Sequence, residues 1–200
     1  MNKEILIICR GGGDLATGIV HRLFRAGYQV LILETAEPAA IRRQVSFCEA
    51  VYEGTATVEG VTAERIYTAK KQAVEEVLQR GRIPLLVDPD GRSIEVLKPD
   101  VVVDAIIAKK NLGTYKEMAP LVIGIGPGFV AGEDVHLVVE SMRGHNLARI
   151  LETGSALANT GIPGNIGGYT KERVIHAAAE GYMKNLHQIG DVVRKGEKIA

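Results

Sequence analysis

Tryptophan is absent from the 200-residue chain and aromatic residues make up only 4% of it, so there is no supply of stacking platforms for bases. An excess of charge of either sign is also missing, because 24 Lys and Arg balance 24 Asp and Glu. Nucleic-acid proteins normally carry a basic surplus, and a neutral chain gains little from an acidic membrane surface. Neither nucleic acid nor a membrane is therefore expected as a partner. Cysteine is scarce: Cys9 and Cys48 are too few for a disulfide framework and read as inert core thiols. No apolar run approaches the roughly 18 residues of a membrane span. The first residues, Met1-Asn2-Lys3-Glu4, run into a strand pattern without the layout of a signal peptide. The expectation is a soluble, cytoplasmic protein.

Glycine is plentiful, with 23 residues gathered around 11–18, 124–132 and 161–168. Such clusters beside apolar runs suggest backbone-lined sites. Hydrophobic residues reach 46%, enough for one core and a small appendage. Residues 5–9, 30–33, 85–87, 101–107, 121–125 and 135–140 are short apolar runs of the kind found in buried parallel strands. Residues 14–26 have helical period, with Leu15, Ile19, Val20, Leu23 and Phe24 on one side and Gly27 as the stop. Helical spacing also predicts helices over 38–52, opened by Pro38, and over 69–79. Residues 56–61 read as extended.

Strands alternating with helices predict an α/β domain over 1–150, a Rossmann-like, mostly parallel sheet with helices on both faces. Residues 151–173, rich in Gly, Asn and Pro, read as a loop segment. The tail, 174–200, contains Ile189-Gly190-Asp191-Val192-Val193-Arg194-Lys195-Gly196-Glu197-Lys198-Ile199-Ala200 and resembles half of a biotinyl/lipoyl-like β-sandwich. It is expected as an incomplete β segment, truncated or completed by another subunit, since an open edge is a liability. It lacks a Met-Lys-Met or Asp-Lys-Ala tripeptide, so carried biotin or lipoate is not expected.

Gly11-Gly12-Gly13-Asp14-Leu15-Ala16 fits G-x-G-x-x-A, with a buried strand before it and an amphipathic helix after it. Gly11 permits the tight turn, Gly13 lets backbone approach a pyrophosphate, and Ala16 lets helix and strand pack closely. The first helical turn then offers free N–H groups and a positive dipole end to phosphate. Glu34 closes the second strand 23 positions after Gly11, near the spacing of a carboxylate that holds a ribose hydroxyl. Arg10 adds a candidate charge-assisted contact. Thr17 joins the candidate phosphate contacts, and Asp14 is read foremost as an N-cap. Glu34 favours NAD over NADP, although Arg42 and Arg43 blur the choice.

The second cluster, Gly124 to Gly132, lacks the Gly-Lys-Ser/Thr ending of a P-loop. Gly126, Gly128, Asn146 and Asp104 are candidate cofactor contacts at the carboxyl ends of strands. His136, Glu140 and His145 are candidate acid–base residues, balanced by purely structural, hydrogen-bonded roles. Their spacing matches no zinc pattern, and no metal site is assigned. Lys109 and Lys110 read as a solvated pair.

Arg10-Gly-Gly-Gly-Asp-Leu-Ala-Thr-Gly18 with His21-Arg22-Leu23, Glu37-Pro38-Ala39-Ala40-Ile41-Arg42-Arg43, Glu49-Ala50-Val51-Tyr52 and Val58-Glu59-Gly60-Val61 resemble the YqeB family. That family comprises maturation proteins of selenium-dependent molybdenum hydroxylases. Gly126-Pro127-Gly128-Phe129, Arg143-Gly144-His145-Asn146 and Asn159-Thr160-Gly161-Ile162-Pro163-Gly164 extend the likeness over nearly the whole chain. The resemblance implies an accessory protein that works with an apo-hydroxylase or other maturation factors. It implies a pathway more than a reaction, so whether the chain is an enzyme stays open. The residues add binding of NAD or another nucleotide or dinucleotide, a molybdopterin dinucleotide among them, and a homo-oligomer is expected. Two rivals remain: an NAD-dependent oxidoreductase with His136 or His145 as proton donor, and a non-catalytic scaffold that delivers cofactor.

Overall fold

A computed structural model describes residues 4–158, 161 and 164–200. Two compact units divide the chain, Met1–Asn159 and Thr160–Ala200.

The central strands of the first unit are apolar on both sides, and each side buries a different layer. In β1 (Leu6–Arg10), Ile7 and Cys9 face one layer while Ile8 faces the other. The alternation repeats in β2 (Gln29–Glu34), with Val30 and Ile32 on the first side and Leu31 and Leu33 on the second. The first layer is filled by Ala16 and Val20 of α1 (Asp14–Arg25) and by Ala50 and Val51 of α2 (Ala50–Glu53). The second is filled by Val74 and Val77 of α3 (Lys71–Gln79) and Ile94 of α4 (Ser93–Leu97). Each buried Val, Leu or Ile contributes about 1.5–3 kcal/mol relative to exposure. Helices thus lie on both faces, as the alternating pattern requires. Gly27 ends α1: its N–H bonds Phe24 O and that of Tyr28 bonds Leu23 O, a Schellman closure with glycine at φ +90°.

The remaining strands are β3 (Thr55–Val58), β4 (Val61–Ile66), β5 (Ile83–Val87), β6 (Val101–Asp104), β7 (Leu121–Ile125), β8 (Leu137–Val139) and β9 (Ile150–Leu151). With β1 and β2 they form one nine-stranded sheet among the described residues, in the order β3-β4-β5-β2-β1-β6-β7-β8-β9. All pairings are parallel except β3 with β4 and β8 with β9. The chain leaves β1 toward β2 on one side and later returns to its other side as β6. That reversal is a topological switch point, where open α/β sheets hold ligands beyond the strand carboxyl ends. Arg10-Gly11 and Asp104-Ala105 lie there.

The structure differs from the sequence reading in several places, and the 101–107 strand ends at Asp104. Residues 38–52 do not form one helix; they contain the 3-10 turns Arg43–Val45 and Phe47–Glu49 and then α2. The backbone is extended at Ser46 (φ −127°, ψ 120°), and the next two amides turn to the glycine loop, Phe47 N–H to Thr17 Oγ1 and Cys48 N–H to Gly12 O. The 56–61 stretch is extended through Val58 and again at Val61, but Glu59 and Gly60, both at positive φ, form the turn of a hairpin between them. The 135–140 strand shortens to Leu137–Val139 and acquires the antiparallel edge strand β9.

No α-helix occurs in the connections from β6 to β9 among the described residues. On the α1 side, Ile123, Ile125, Leu137 and Val139 are consequently only half-buried. In Thr160–Ala200 the described residues form no strand. A 3-10 turn spans Lys171–Arg173, and Leu186 N–H donates to Ile199 O at 2.9 Å. The strands of the expected half-sandwich are therefore not seen among the described residues, and Tyr182 and Val192 of this unit are exposed. Residues 159, 160, 162 and 163 of the Asn-Thr-Gly-Ile-Pro-Gly motif lie outside the described residues.

Candidate functional site

The glycine turn joins β1 to α1, and each glycine has a distinct reason. Gly11 sits at φ +99°, and a Cβ there would lie 3.0 Å from Ile106 Cα. Its N–H donates to Leu33 O at 2.8 Å, so the chain must bend as it clears the end of β2. A Cβ on Gly12 would lie 3.1 Å from the Cys48 nitrogen. Gly13 is different: it has ordinary dihedrals, φ −64° and ψ 179°, and a Cβ there would meet nothing within 4 Å. The first helical bond runs from Thr17 N–H to Gly13 O at 2.8 Å. The amides of Asp14, Leu15 and Ala16 therefore have no intrahelical acceptor. Among the described residues no side chain caps the helix. Among the described residues, open space at Gly13 adjoins these amides at the positive end of a 12-residue helix, the arrangement that favours an anion. Ala16, 1% exposed, is the small residue that lets α1 lie close to the sheet.

Glu34 borders this turn because it shares the side of β2 that Ile32 presents to α1. Its carboxylate accepts the N–H of Gly12 at 2.7 Å and that of Thr35 at 2.7 Å. Burial pushes its pKa above the usual carboxylate value, and the Thr35 and Gly12 amides offset only part of that. Asp14 is not the N-cap; Gly13 holds that place. The Asp14 carboxylate pairs with Arg42 Nε at 2.7 Å, a half-exposed pair worth little stability. Thr17 is buried, its hydroxyl donating to Gly12 O at 3.1 Å and accepting the Phe47 N–H at 2.9 Å. It braces the turn and does not face it.

Arg10 and Asp104 are placed differently from the sequence expectation. Both continue the alternation that points Ile8 and Val102 into the second layer, away from α1. Both are 2% exposed. The Arg10 guanidinium donates to Thr114 Oγ1, to Pro89 O at 3.0 Å and to Leu112 O at 3.2 Å. Its Nη1 stands 3.5 Å from Asp104 Oδ2. The donors expected to meet a phosphate are spent on the protein itself.

The second glycine cluster is filled by protein. A Cβ on Gly126 would meet Ser141 Oγ at 2.6 Å, and one on Gly128 would meet the Lys110 backbone at 2.7 Å. His136 and Glu140 do not form a dyad, since four residues along extended chain separate them by roughly 13 Å. His136 Nδ1 accepts the Val122 N–H at 3.0 Å. Glu140, 4% exposed, accepts the amides of Met142 at 2.6 Å and Leu157 at 2.8 Å. Burial pushes the Glu140 pKa up, but the Leu157, Met142 and Ser141 amides outweigh it and hold the group below its ordinary value. His145 and Asn146 lie in an exposed turn. Both cysteines adjoin the first turn and are buried, Cys9 through its thiol on Gly11 O and Cys48 through its main-chain N–H on Gly12 O; burial raises the pKa of Cys9 and pushes that of Cys48 up to about 12, which keeps them unreactive. Among the described residues no cluster of metal ligands is formed, and no helix is long and apolar enough to cross a membrane. A cleft of about 760 Å³ lies elsewhere, lined by Gly91, Ile94, Lys98, Tyr115 and Met118; no residue of the glycine turn borders it.

Sequence reasoning missed Thr114 and the Phe47 and Cys48 amides. None belongs to a motif, and only the packed fold brings Thr114 to Arg10 and the two amides to Thr17 and Gly12.

The strand order, the glycine turn at its reversal and the acid that ends β2 define a doubly wound α/β protein. The chain is similar to the uncharacterized protein YqeB of Escherichia coli (strain K12), with 49% identity over 195 residues. The match covers 98% of this chain and 36% of that relative, so the chain spans about a third of the relative's length. No family model and no solved structure matches it.

Proposed function

We propose that the chain binds a nucleotide or dinucleotide-containing cofactor at the glycine turn and serves as an accessory protein in the maturation of selenium-dependent molybdenum hydroxylases. One observation carries the binding half: α1 begins without a side-chain cap, beside open space at Gly13, at the switch point of the sheet. The maturation half is supported by the motifs shared with the YqeB family. Gly11 and Gly13 would admit a phosphate, the amides of Asp14, Leu15 and Ala16 would receive it, and Glu34 would meet a ribose hydroxyl. An unphosphorylated ribose suits that carboxylate, which favours NAD or a molybdopterin dinucleotide over NADP.

Between turnover and delivery, the side chains favour a cofactor-delivering scaffold over an NAD-dependent oxidoreductase. Arg10, Thr17, Asp104 and Glu140 are all spent on internal bonds, and His136 holds a neighbouring strand. The half-buried row Ile123, Ile125, Leu137 and Val139 supports association with a hydroxylase, another maturation factor or a second copy, because parallel sheets are ordinarily covered on both faces. Calorimetry against NAD, NADP, ATP, CTP and a molybdopterin dinucleotide, with Gly13→Val as control, tests the binding. Saturable binding to at least one of them that Gly13→Val abolishes supports it; an affinity unaltered by the substitution removes the turn from consideration. An apo-hydroxylase that gains activity without the chain turning over any substrate alone distinguishes delivery from catalysis.

A further inference from the structure

The buried ion pair under the sheet does more than neutralise itself. Arg10 and Asp104 are partners in the register of β1 and β6, yet their closest charged atoms remain 3.5 Å apart. The Thr114 hydroxyl stands between them. It accepts from Arg10 Nη1 and donates to Asp104 Oδ2 at 2.5 Å. Thr114 itself is 2% exposed and belongs to the long connection from β6 to β7. Its main chain is held by Asn111, whose Oδ1 accepts the Thr114 N–H and whose Nδ2 donates to Thr114 O, each at 2.7 Å. Arg10 secures the same segment again through Leu112 O.

That connection is the element both glycine clusters touch. Its start, Ala105 and Ile106, presses on Gly11, and Lys110 presses on Gly128. Ile107 and Lys109 between them hold φ +58° and +64°, conformations that non-glycine residues, β-branched ones above all, keep only when their surroundings impose them. Ile106, Leu112 and Tyr115 are exposed. An exposed, strained segment is thus fastened through a buried side chain.

We propose that Thr114 is a positioning residue: bridging Arg10 and Asp104, it latches the 105–115 segment against the glycine turn and so sets the wall that a bound phosphate group meets. The ligand part of this inference rests on the proposed nucleotide binding; the latch itself does not.

The test uses the full chain, hydrogen exchange and NAD titration on wild type, Thr114→Val and Thr114→Ser. Valine keeps the shape and loses the hydroxyl, while serine keeps the hydroxyl. Amides of 106–113 should exchange at least tenfold faster in Thr114→Val, with the sheet amides of β2 and β5 unchanged and Thr114→Ser close to wild type. NAD affinity should fall in parallel, about tenfold, and be restored by serine. Unchanged exchange in Thr114→Val overturns the latch. Faster exchange with undiminished NAD binding overturns its positioning role. Faster exchange in a protein whose wild type binds no NAD supports the latch and counts against NAD as the ligand. If Thr114→Val does not fold, Asn111→Ala, which removes the brace and leaves the ion pair intact, carries the same expectations.

Discussion

The carboxylate of Glu34 accepts the main-chain N–H of Gly12 at 2.7 Å, tying the end of the second strand to the turn after the first. The bond holds Gly12, not Gly13 or the first turn of α1, so the acid and the amides proposed to receive a phosphate stand side by side without one filling the other.

Glu34 predicts a pH signature. Its pKa in the fold lies above the ordinary value of 4.5, so the folded state holds the proton more tightly than the unfolded one. Stability from this group is present at low pH and lost as pH rises from 4.5 through the folded pKa. Denaturant titrations from pH 4 upward should show wild type losing stability relative to Glu34→Gln across that window. A difference curve rising with pH would contradict the assignment.

Glu140 predicts the opposite sign. Its folded pKa lies below 4.5, so its contribution is present above that value and fades as pH falls through the folded pKa. Glu140→Gln leaves the Met142 and Leu157 amides with a weaker acceptor and should destabilise by about 1–3 kcal/mol at neutral pH, a gap that closes in acid. Urea unfolding at pH 7 and pH 3 checks both.

The glycines of the turn should separate by role. Gly11→Ala forces a Cβ to within 3.0 Å of Ile106 Cα at φ +99° and should destabilise by about 1–3 kcal/mol. Gly13→Ser enters open space at an N-cap, where serine is well suited, and stability should hold or rise. Thermal unfolding of the two variants reads the contrast directly.

The hairpin turn offers a gain. Glu59 at φ +46° precedes Gly60 at φ +78°, the pair of left-handed residues that a two-residue hairpin turn demands. Asparagine tolerates that region better than glutamate, and Glu59→Asn should stabilise by about 0.5–1 kcal/mol, visible as a raised denaturation midpoint.

Much of the fold was legible because it depends on local pattern. The first and seventh strands rest on the apolar runs 5–9 and 121–125, and α1 carries both a period and a glycine stop. The Glu59-Gly60 turn escaped notice because it lacks the Asn-Gly or Asp-Gly signal. The 38–52 helix failed for a tertiary reason: the Phe47 and Cys48 amides are claimed by Thr17 and Gly12, residues 30 or more positions away. The same division holds at the site. Gly11, Gly13 and Glu34 are recognisable from spacing alone. Arg10 and Asp104 were read toward the ligand, although strand alternation already sends them to the face opposite α1. Thr114, joined to Arg10 across 104 positions, has no local signature at all.

The most direct test of the central claim is a titration of isotopically labelled protein with NAD, read at individual main-chain amides. Saturable shifts concentrated at Gly13, Asp14, Leu15 and Ala16, absent in Gly13→Val, are the predicted result. Saturable binding that leaves those four amides unmoved would contradict the account.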